Sequence, residues 1–270
     1  MLRLAIRVRR EDAELVLAEL IELVPNGVEE TDLGDSVEYA VYGAAGELPD
    51  LGELRALVGD ALVDVVTTEV PDDWEERWRQ WHRPLDVGPL RVRPPWEPAR
   101  AGALDVVIDP GQAFGTGAHD TTRLCLELLC ELEPEGPFVD LGCGSGVLAI
   151  AAAKLGWAPV LGVDHERESV AATLANARSN GVEVRAEHFD LLRDGPAPTA
   201  PTVAANLLRP LLLAVARAGF AGEPPRTLIA SGLLRHEADE IAAAFAAHGL
   251  RELGRRETAE WAAVLLVRPA

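Results

Sequence analysis

The stretch VDLGCGSG at residues 139–146 decides the fold, because it joins an apolar run to a turn of alternating glycines. FVDL (138–141) is typical of a buried strand, and Val147–Leu155 is an apolar run with the length of a helix. Between them the pattern G-x-G-x-G is formed by Gly142, Gly144 and Gly146. Glycine lets the backbone turn sharply and approach a ligand closely, so this turn is predicted to bind a cofactor.

The chain that follows alternates between apolar strands and helices. Residues 159–164 predict the next strand, and Arg167–Asn180 predicts a helix that ends at Gly181. Further strands are predicted in VEVRAEHF (182–189), TVAAN (202–206), RTLIA (226–230) and WAAVLLVR (261–268). Helices are predicted near Pro210–Ala218 and His236–His248. This order is typical of a doubly wound α/β domain, which binds ligands at the carboxyl ends of its strands.

Two carboxylates near the glycine turn favour S-adenosylmethionine over NAD as the cofactor. Asp164 ends the next predicted strand, where an acidic side chain accepts the two ribose hydroxyls of a nucleoside. Asp140 lies just before the turn, where a carboxylate would meet a positive group. NAD requires G-x-G-x-x-G and brings an anionic pyrophosphate, whereas S-adenosylmethionine carries an ammonium and no pyrophosphate.

The first 70 residues predict a separate small α+β domain. Strands are predicted in LRLAIRV (2–8), GVEETDL (27–33), SVEYAVYG (36–43) and ALVDVVTTEV (61–70). Helices are predicted over Glu11–Val24 and Asp50–Val58. The resulting order βαββαβ suits a ferredoxin-like domain.

A tryptophan-rich and proline-rich segment separates the two patterns. Trp74, Trp78 and Trp81 lie on one face of a short predicted helix, which favours a connector packed on a neighbouring domain over an aromatic ligand cage. Prolines between residues 84 and 98 then predict irregular connections and a domain boundary. We therefore expect an α+β domain at 1–70, a linker at 71–100 and a cofactor-binding domain at 101–270.

Composition excludes several classes of protein. The net charge is −19, and the basic residues form no cluster of the kind that a free-standing nucleic-acid binder presents, so no direct nucleic-acid binding is expected. The acidity indicates either a basic partner or only a well-solvated surface. No apolar run is long enough for a membrane span, and three cysteines predict neither a disulfide framework nor a metal site. We expect a monomer in the reducing cytoplasm that binds no metal and no membrane.

Several motifs resemble one family along the whole chain. They are DPGQAFGTGAHDTTRLCLELL (109–129), DLGCGSGVLAIAA (140–152), ANLL (205–208), SGLL (231–234) and EWAAVLLV (260–267). In this order they are similar to the ribosomal protein L-eleven methyltransferase family (PrmA), and the AFGTGxHxTT element is the most specific of them. The resemblance implies a Rossmann-like class I methyltransferase domain with a seven-stranded sheet whose last strand is antiparallel. A small ferredoxin-like domain precedes it in the chain.

The resemblance also implies a set of cofactor-binding residues. A loop over S-adenosylmethionine is expected from Phe114, Gly115, Thr116, Gly117 and His119, followed by Thr121 and Thr122 at a helix start. Either threonine can supply a hydroxyl and a helix N-terminal N–H to the methionine carboxylate. Asp120 and the threonines can instead act only as helix caps, or capping and binding can both occur. His119 is expected to fix the loop through a hydrogen bond rather than to act as a base.

Further along the chain, the backbones of Gly142, Gly144 and Gly146 are expected at the cofactor, together with the side chains of Asp140 and Asp164. Asp190 follows the strand that ends at Phe189, and lies either near the adenine or in a surface turn. His165 and Glu166 depart from the apolar residue and the Asp expected after Asp164, which leaves the details of adenosine recognition open.

Asn206 ends the TVAAN strand, and the resemblance implies that it is the catalytic residue and faces the methyl group. The run Asn206-Leu207-Leu208-Arg209 lacks the prolines and the aromatic residue of nucleobase methylases, which favours a flexible amine as acceptor. The resemblance implies methylation of lysine ε-amines, of the N-terminal α-amine, or of both, on ribosomal large-subunit protein L-eleven, with the N-terminal domain binding that protein. Another protein lysine or a small-molecule amine is the alternative acceptor.

Overall fold

The computed structural model describes residues 2–13, 16, 17, 20, 28–43, 48, 49, 61–69, 83–109 and 119–269. The chain divides into two compact units, Met1–Trp81 and His82–Ala270.

The first unit contains a four-stranded antiparallel sheet in the order β2-β3-β1-β4. Its strands are β1 (Leu2–Arg9), β2 (Glu29–Asp32), β3 (Ser36–Gly43) and β4 (Leu62–Glu69). Alternate side chains of β1 enter the core, which is formed by Leu4, Ile6, Val8, Ala13, Val16, Leu20, Val37, Tyr39 and Ala61. All four predicted strands are confirmed, and this strand order is the ferredoxin-like one.

The predicted helices of this unit are described only in part. Residues 13, 16, 17 and 20 are helical, and Tyr39 donates its hydroxyl to the carbonyl of Ala13 at 2.9 Å. The rest of the helix predicted over Glu11–Val24 lies largely outside the described residues. So do the helix predicted over Asp50–Val58 and the segment that carries Trp74, Trp78 and Trp81.

The second unit is built on a seven-stranded sheet in the order β10-β9-β8-β11-β12-β14-β13. The strands are β8 (Phe138–Leu141), β9 (Val160–Asp164), β10 (Arg185–His188), β11 (Thr202–Asn206), β12 (Thr227–Leu234), β13 (Arg251–Glu257) and β14 (Trp261–Val267). β8 to β12 pair in parallel, whereas β14 runs antiparallel between β12 and β13. The expected antiparallel last strand is therefore confirmed.

Helices cover both faces of this sheet. They are α1 (Asp120–Cys130), α2 (Val147–Leu155), α3 (Arg167–Asn180), α4 (Arg209–Ala218) and α5 (Ala238–Phe245). The first three share a core with Phe138, and the last two share a core with Val139 on the opposite face. Neighbouring residues of β8 thus face opposite layers, so all four of its residues are buried although one of them is Asp140.

The proline-bearing segment is more ordered than expected. Residues 83–109 contain a three-stranded sheet of β5 (Leu85–Val87), β6 (Leu90–Arg93) and β7 (Leu104–Val107). The prolines lie outside these strands, in the irregular connections that the sequence predicted for them, whereas the short strands between them were not predicted. Residues 71–82 of the predicted linker lie outside the described residues, and its role as a linker stays a prediction.

Two further differences concern the end of the chain. The helix predicted over His236–His248 is α-helical only over α5 (Ala238–Phe245), and 3₁₀ turns flank it at Arg235–Glu237 and Ala246–His248. β13 was not predicted at all, because RELGRRE lies at the sheet edge and shows no apolar alternation.

Among the described residues, no helix has the length and apolarity needed to cross a membrane.

Candidate functional site

A cavity of about 710 Å³ opens at the carboxyl ends of β8, β9 and β11. It brings together most of the predicted site residues, namely His119, Thr121, Thr122, Asp140, Gly142, Gly144, Asp164, Asp190 and Asn206. Phe114, Gly115 and Thr116 lie outside the described residues, so their place in the site stays a prediction. The location agrees with the rule for open α/β sheets.

The glycine turn needs its glycines for two separate reasons. Gly142 has φ 72°, and a Cβ on it would lie 2.3 Å from Cδ2 of Leu207, which also lines the cavity. Gly146 does not line the cavity; it is the N-cap of α2 with φ 83°, and a Cβ there would lie 2.9 Å from Cγ2 of Thr173. Gly146 thus allows α3 to pack closely, and the cofactor contact expected of it stays a prediction.

Asp164 fixes the turn from the end of β9. Its Oδ2 accepts a hydrogen bond of 2.9 Å from the amide of Gly144, and its Oδ1 accepts one of 3.0 Å from the amide of Glu166. Nδ1 of His165 lies 3.3 Å from the same Oδ1. The carboxylate is held at the cavity wall and is 8% exposed.

Asp140 is a buried acid with one unpaired oxygen. Oδ2 accepts a hydrogen bond of 3.1 Å from the amide of Ala149, whereas Oδ1 has no hydrogen-bond partner in the described part of the chain. Burial raises the pKa of Asp140 to about 7, against the lowering effect of the Ala149 amide, and the charge of Asp164 raises it further. A positive ligand in the cavity would supply the missing partner and favour the ionised form.

His119 organises the start of α1. It is the N-cap of this helix, and its Nδ1 accepts a hydrogen bond of 3.3 Å from the amide of Thr121 and lies 2.8 Å from that residue's Oγ1. Its ring meets Trp261 edge-on at a centroid distance of 4.9 Å. Asp120 was expected as a possible helix cap, but its carboxylate instead forms an ion pair of 3.2 Å with Arg123.

Asn206 is tied to α1 at the end of β11. Its Nδ2 donates a hydrogen bond of 3.3 Å to Oγ1 of Thr122. This bond fixes the orientation of the amide, whose side-chain oxygen can accept a hydrogen bond from an amine.

Comparison with known proteins decides the family. The sequence profile described as "Ribosomal protein L11 methyltransferase (PrmA)" matches residues 51–269, which is well over half of the chain. The chain belongs to this family.

Individual PrmA relatives agree over most of their length. A ribosomal protein L11 methyltransferase from Pectobacterium carotovorum subsp. carotovorum (strain PC1) is 37% identical over 227 residues, covering 79% of this chain and 75% of the relative. One from Burkholderia ambifaria (strain MC40-6) is 33% identical over 273 residues and covers 90% of both chains.

A solved PrmA structure gives the same fold. The crystal structure of ribosomal protein L11 methylase from Lactobacillus delbrueckii subsp. bulgaricus has a TM-score of 0.61 and 27% identity, covering 70% of this chain and 100% of that chain. Together with the sheet order, membership of the family establishes a methyltransferase of the class I fold.

Asp190 was expected either near the adenine or in a surface turn, and the structure places it both at the cavity and in a turn. It lines the cavity, and its Oδ1 accepts a hydrogen bond of 2.8 Å from the amide of Leu192 within a turn. It is therefore both a turn residue and a wall residue of the cavity.

Several wall residues of this PrmA site were not predicted. The apolar part of the wall includes Phe189, Leu207, Leu208 and Trp261, and the backbone at Gly232 also reaches it. The glycine of SGLL and the tryptophan of EWAAVLLV were the available signals, because both stand in motifs that the resemblance had already singled out.

Proposed function

We propose that this PrmA-family chain is an S-adenosylmethionine-dependent protein N-methyltransferase that methylates ribosomal protein L11. The acceptors are lysine ε-amines, the N-terminal α-amine, or both. The observation that carries the proposal is the cavity that joins the glycine turn, the carboxylates of Asp140 and Asp164, and Asn206. L11 is proposed as the substrate because the relatives from Pectobacterium and Burkholderia are ribosomal protein L11 methyltransferases.

The wall of the cavity fits a cationic nucleoside better than a dinucleotide. The unpaired Oδ1 of buried Asp140 suits an ammonium donor, and Gly142 lines the cavity without a side chain. Asp164 offers further lone pairs to ribose hydroxyls. An anionic pyrophosphate would meet two carboxylates here, which disfavours NAD.

Catalysis in this site requires alignment more than acid–base chemistry. S-adenosylmethionine supplies a methyl group on a sulfonium centre, which is already a good leaving group. The chain's contribution is to hold the acceptor amine in line and to exclude water, with the side-chain oxygen of Asn206 accepting a hydrogen bond from the amine. A lysine amine, whose ordinary pKa is about 10.4, must lose its proton to solvent before it attacks, and burial in the apolar part of the cavity favours the neutral form.

The first unit is the proposed binding site for the protein substrate. Its ferredoxin-like sheet carries no residue of the described cavity. The net charge of −19 favours a basic partner through the field of the whole surface. We propose that the enzyme works as a cytoplasmic monomer and needs no nucleic acid.

Removing residues 1–70 tests whether the first unit binds the protein substrate. The shortened chain should still bind S-adenosylhomocysteine, which checks its folding, and should lose activity on L11. Unchanged activity and an unchanged pattern of methylated amines would contradict a substrate-binding role for the first unit.

A gel assay tests the reaction and the substrate together. The full chain, methyl-labelled S-adenosylmethionine and unmethylated ribosomal proteins should give one small labelled band, identified as L11. A blank gel from a sample that binds the cofactor would reject L11 as substrate, and a different labelled band would replace it. Failure to bind the cofactor would reject the methyltransferase proposal itself.

A further inference from the structure

The helix α3 carries a buried row of polar side chains that the sequence analysis did not single out. Ser169, Thr173, Asn176 and Asn180 recur at helical spacing, and the first three are almost fully buried. A polar face turned toward the protein interior is unusual, since such a face normally meets water. Each of these side chains therefore needs a partner inside the protein.

Two members of the row bind carbonyl groups of the glycine turn. Thr173 donates its hydroxyl to the carbonyl oxygen of Gly144 at 2.9 Å. Asn176 donates its Nδ2 to the carbonyl oxygen of Ser145 at 2.9 Å. The turn thus has a side-chain partner on each of two successive carbonyl groups.

Asn176 also binds a second segment of chain with its other side-chain atom. Its Oδ1 accepts a hydrogen bond of 3.2 Å from the backbone amide of Asp109. Asp109 begins the motif DPGQAFGTGAHDTT, whose described C-terminal part supplies His119, Thr121 and Thr122 to the cavity. One buried amide therefore joins the glycine turn to the start of this motif.

Asn180 provides the natural comparison, because it makes similar bonds one turn further along. Its Oδ1 accepts from the amide of Val107 at 2.8 Å, and its Nδ2 donates to the carbonyl of Val107 at 2.7 Å. Its third bond, of 2.8 Å, reaches the carbonyl of Asn176 within α3. These bonds fasten β7 to the helix, and none of them touches the glycine turn.

We propose that Asn176 is a positioning residue for cofactor binding, which holds the glycine turn and the start of the 109–122 motif at a fixed separation. The inference rests on the proposed function, since it assigns a task within that cofactor site. Asn176 itself does not line the cavity. It acts through the backbones of Ser145 and Asp109.

The test compares Asn176→Ala with Asn180→Ala in the full chain. Asn176→Ala should raise both the KM for S-adenosylmethionine and the Kd for S-adenosylhomocysteine by about tenfold, because it loses the two buried hydrogen bonds to Ser145 and Asp109 that hold the site in place. Its kcat at saturating cofactor should change much less. Asn180→Ala should lower the melting temperature and leave both cofactor constants unchanged.

A second variant keeps the test decisive if Asn176→Ala does not fold. Asn176→Asp retains an acceptor for the amide of Asp109 but sets a carboxylate oxygen against the carbonyl of Ser145 in place of the donor, and it should also weaken S-adenosylhomocysteine binding. If the Asn176 variants lose thermal stability but keep the wild-type Kd, the inference is wrong and the residue only docks α3. Equal weakening in Asn180→Ala would overturn it as well. Absence of binding in the wild type would instead reject the proposed function.

Discussion

The backbone amide of Gly144 donates a hydrogen bond of 2.9 Å to Oδ2 of Asp164. This bond joins the turn after β8 to the end of β9, so one carboxylate both shapes the glycine turn and forms part of the cavity wall. The two strands are neighbours in the parallel sheet, which brings their carboxyl ends together. The shape of the turn and the proposed ribose contact therefore depend on the same side chain.

Replacing Asp164 should weaken cofactor binding strongly. Asp164→Ala removes the acceptor for the amides of Gly144 and Glu166 and for the proposed ribose contact. Since hydrogen bonds to a charged group are worth about 1.5–3 kcal/mol, the Kd for S-adenosylhomocysteine should rise by roughly 100-fold. Titration calorimetry measures this change.

Glu168→Ala is the matched control for Asp164→Ala. It removes the same charge from the exposed side of α3, away from the cavity lining. It should leave the Kd at the wild-type value. Equal effects of the two substitutions would mean that net charge, and not the position of Asp164, governs the affinity.

Gly232 should tolerate no side chain. Its φ is 83°, and a Cβ on it would lie 2.4 Å from the carbonyl oxygen of Leu207, the residue that follows Asn206. Gly232→Ala should shift this backbone and lower kcat by at least about tenfold, because small misplacements of reacting groups are costly. Steady-state kinetics at saturating cofactor measure the loss.

A second glycine provides the comparison for this substitution. Gly254 has open space around its Cβ position and no positive φ, so Gly254→Ala should leave kcat unchanged. A Gly232→Ala enzyme with wild-type kcat would show that the approach to Leu207 has no part in catalysis.

Asp140 should make stability and cofactor binding respond to pH in opposite directions. Its pKa is raised to about 7 by burial, so its neutral form stabilises the folded chain at low pH. This stabilisation is complete below the unfolded pKa of about 3.9 and is lost as the pH rises to about 7. Asp140→Asn should therefore gain melting temperature relative to the wild type between pH 5 and pH 7.5, as scanning calorimetry would record.

The same titration should appear in the binding of a cationic ligand. Affinity for S-adenosylmethionine should rise by up to about tenfold per pH unit below the pKa of Asp140 and level off above it. In Asp140→Asn this rise should disappear, and the affinity should stay low. A wild-type Kd that does not change between pH 5.5 and pH 7.5 would argue against an ionised Asp140 at the cofactor.

Asn206 should affect the chemical step more than cofactor binding. Asn206→Ala removes the proposed acceptor for the amine, and kcat should fall by roughly 100-fold or more, the scale seen when one preorganised polar group is lost from an active site. Thr122→Val removes the partner that orients the amide and keeps Asn206 itself, and its effect on kcat should be smaller. If both variants keep wild-type kcat, the amine is aligned by other groups.

The sequence predicted the parts of the site that depend on local pattern. The glycine turn and Asp164 belong to one strand–turn–helix–strand unit, so their spacing along the chain already indicates a shared location. Asn206 also ends an apolar strand, but its expected role came from the resemblance to the family. The general rule that parallel strands end at one edge of a sheet places all these residues together.

Other parts of the site depend on contacts between distant segments. Trp261 meets His119 only because β14 returns antiparallel beside β12. Gly232 lies where the pairing register between β12 and β14 shifts, and such a bulge has no simple sequence pattern. The sequence does not show that Asn176 is buried, because that depends on the packing of α3 against the glycine turn.

The most direct test of the central claim is the intact mass of purified, unmethylated L11 after incubation with the full chain and S-adenosylmethionine. The wild-type enzyme should add one or more methyl-mass increments, located on lysine side chains or the N-terminus, and Asn206→Ala should add few or none in the same time. An unchanged L11 mass, in a sample whose enzyme binds S-adenosylhomocysteine, would contradict the assignment of L11 as the substrate.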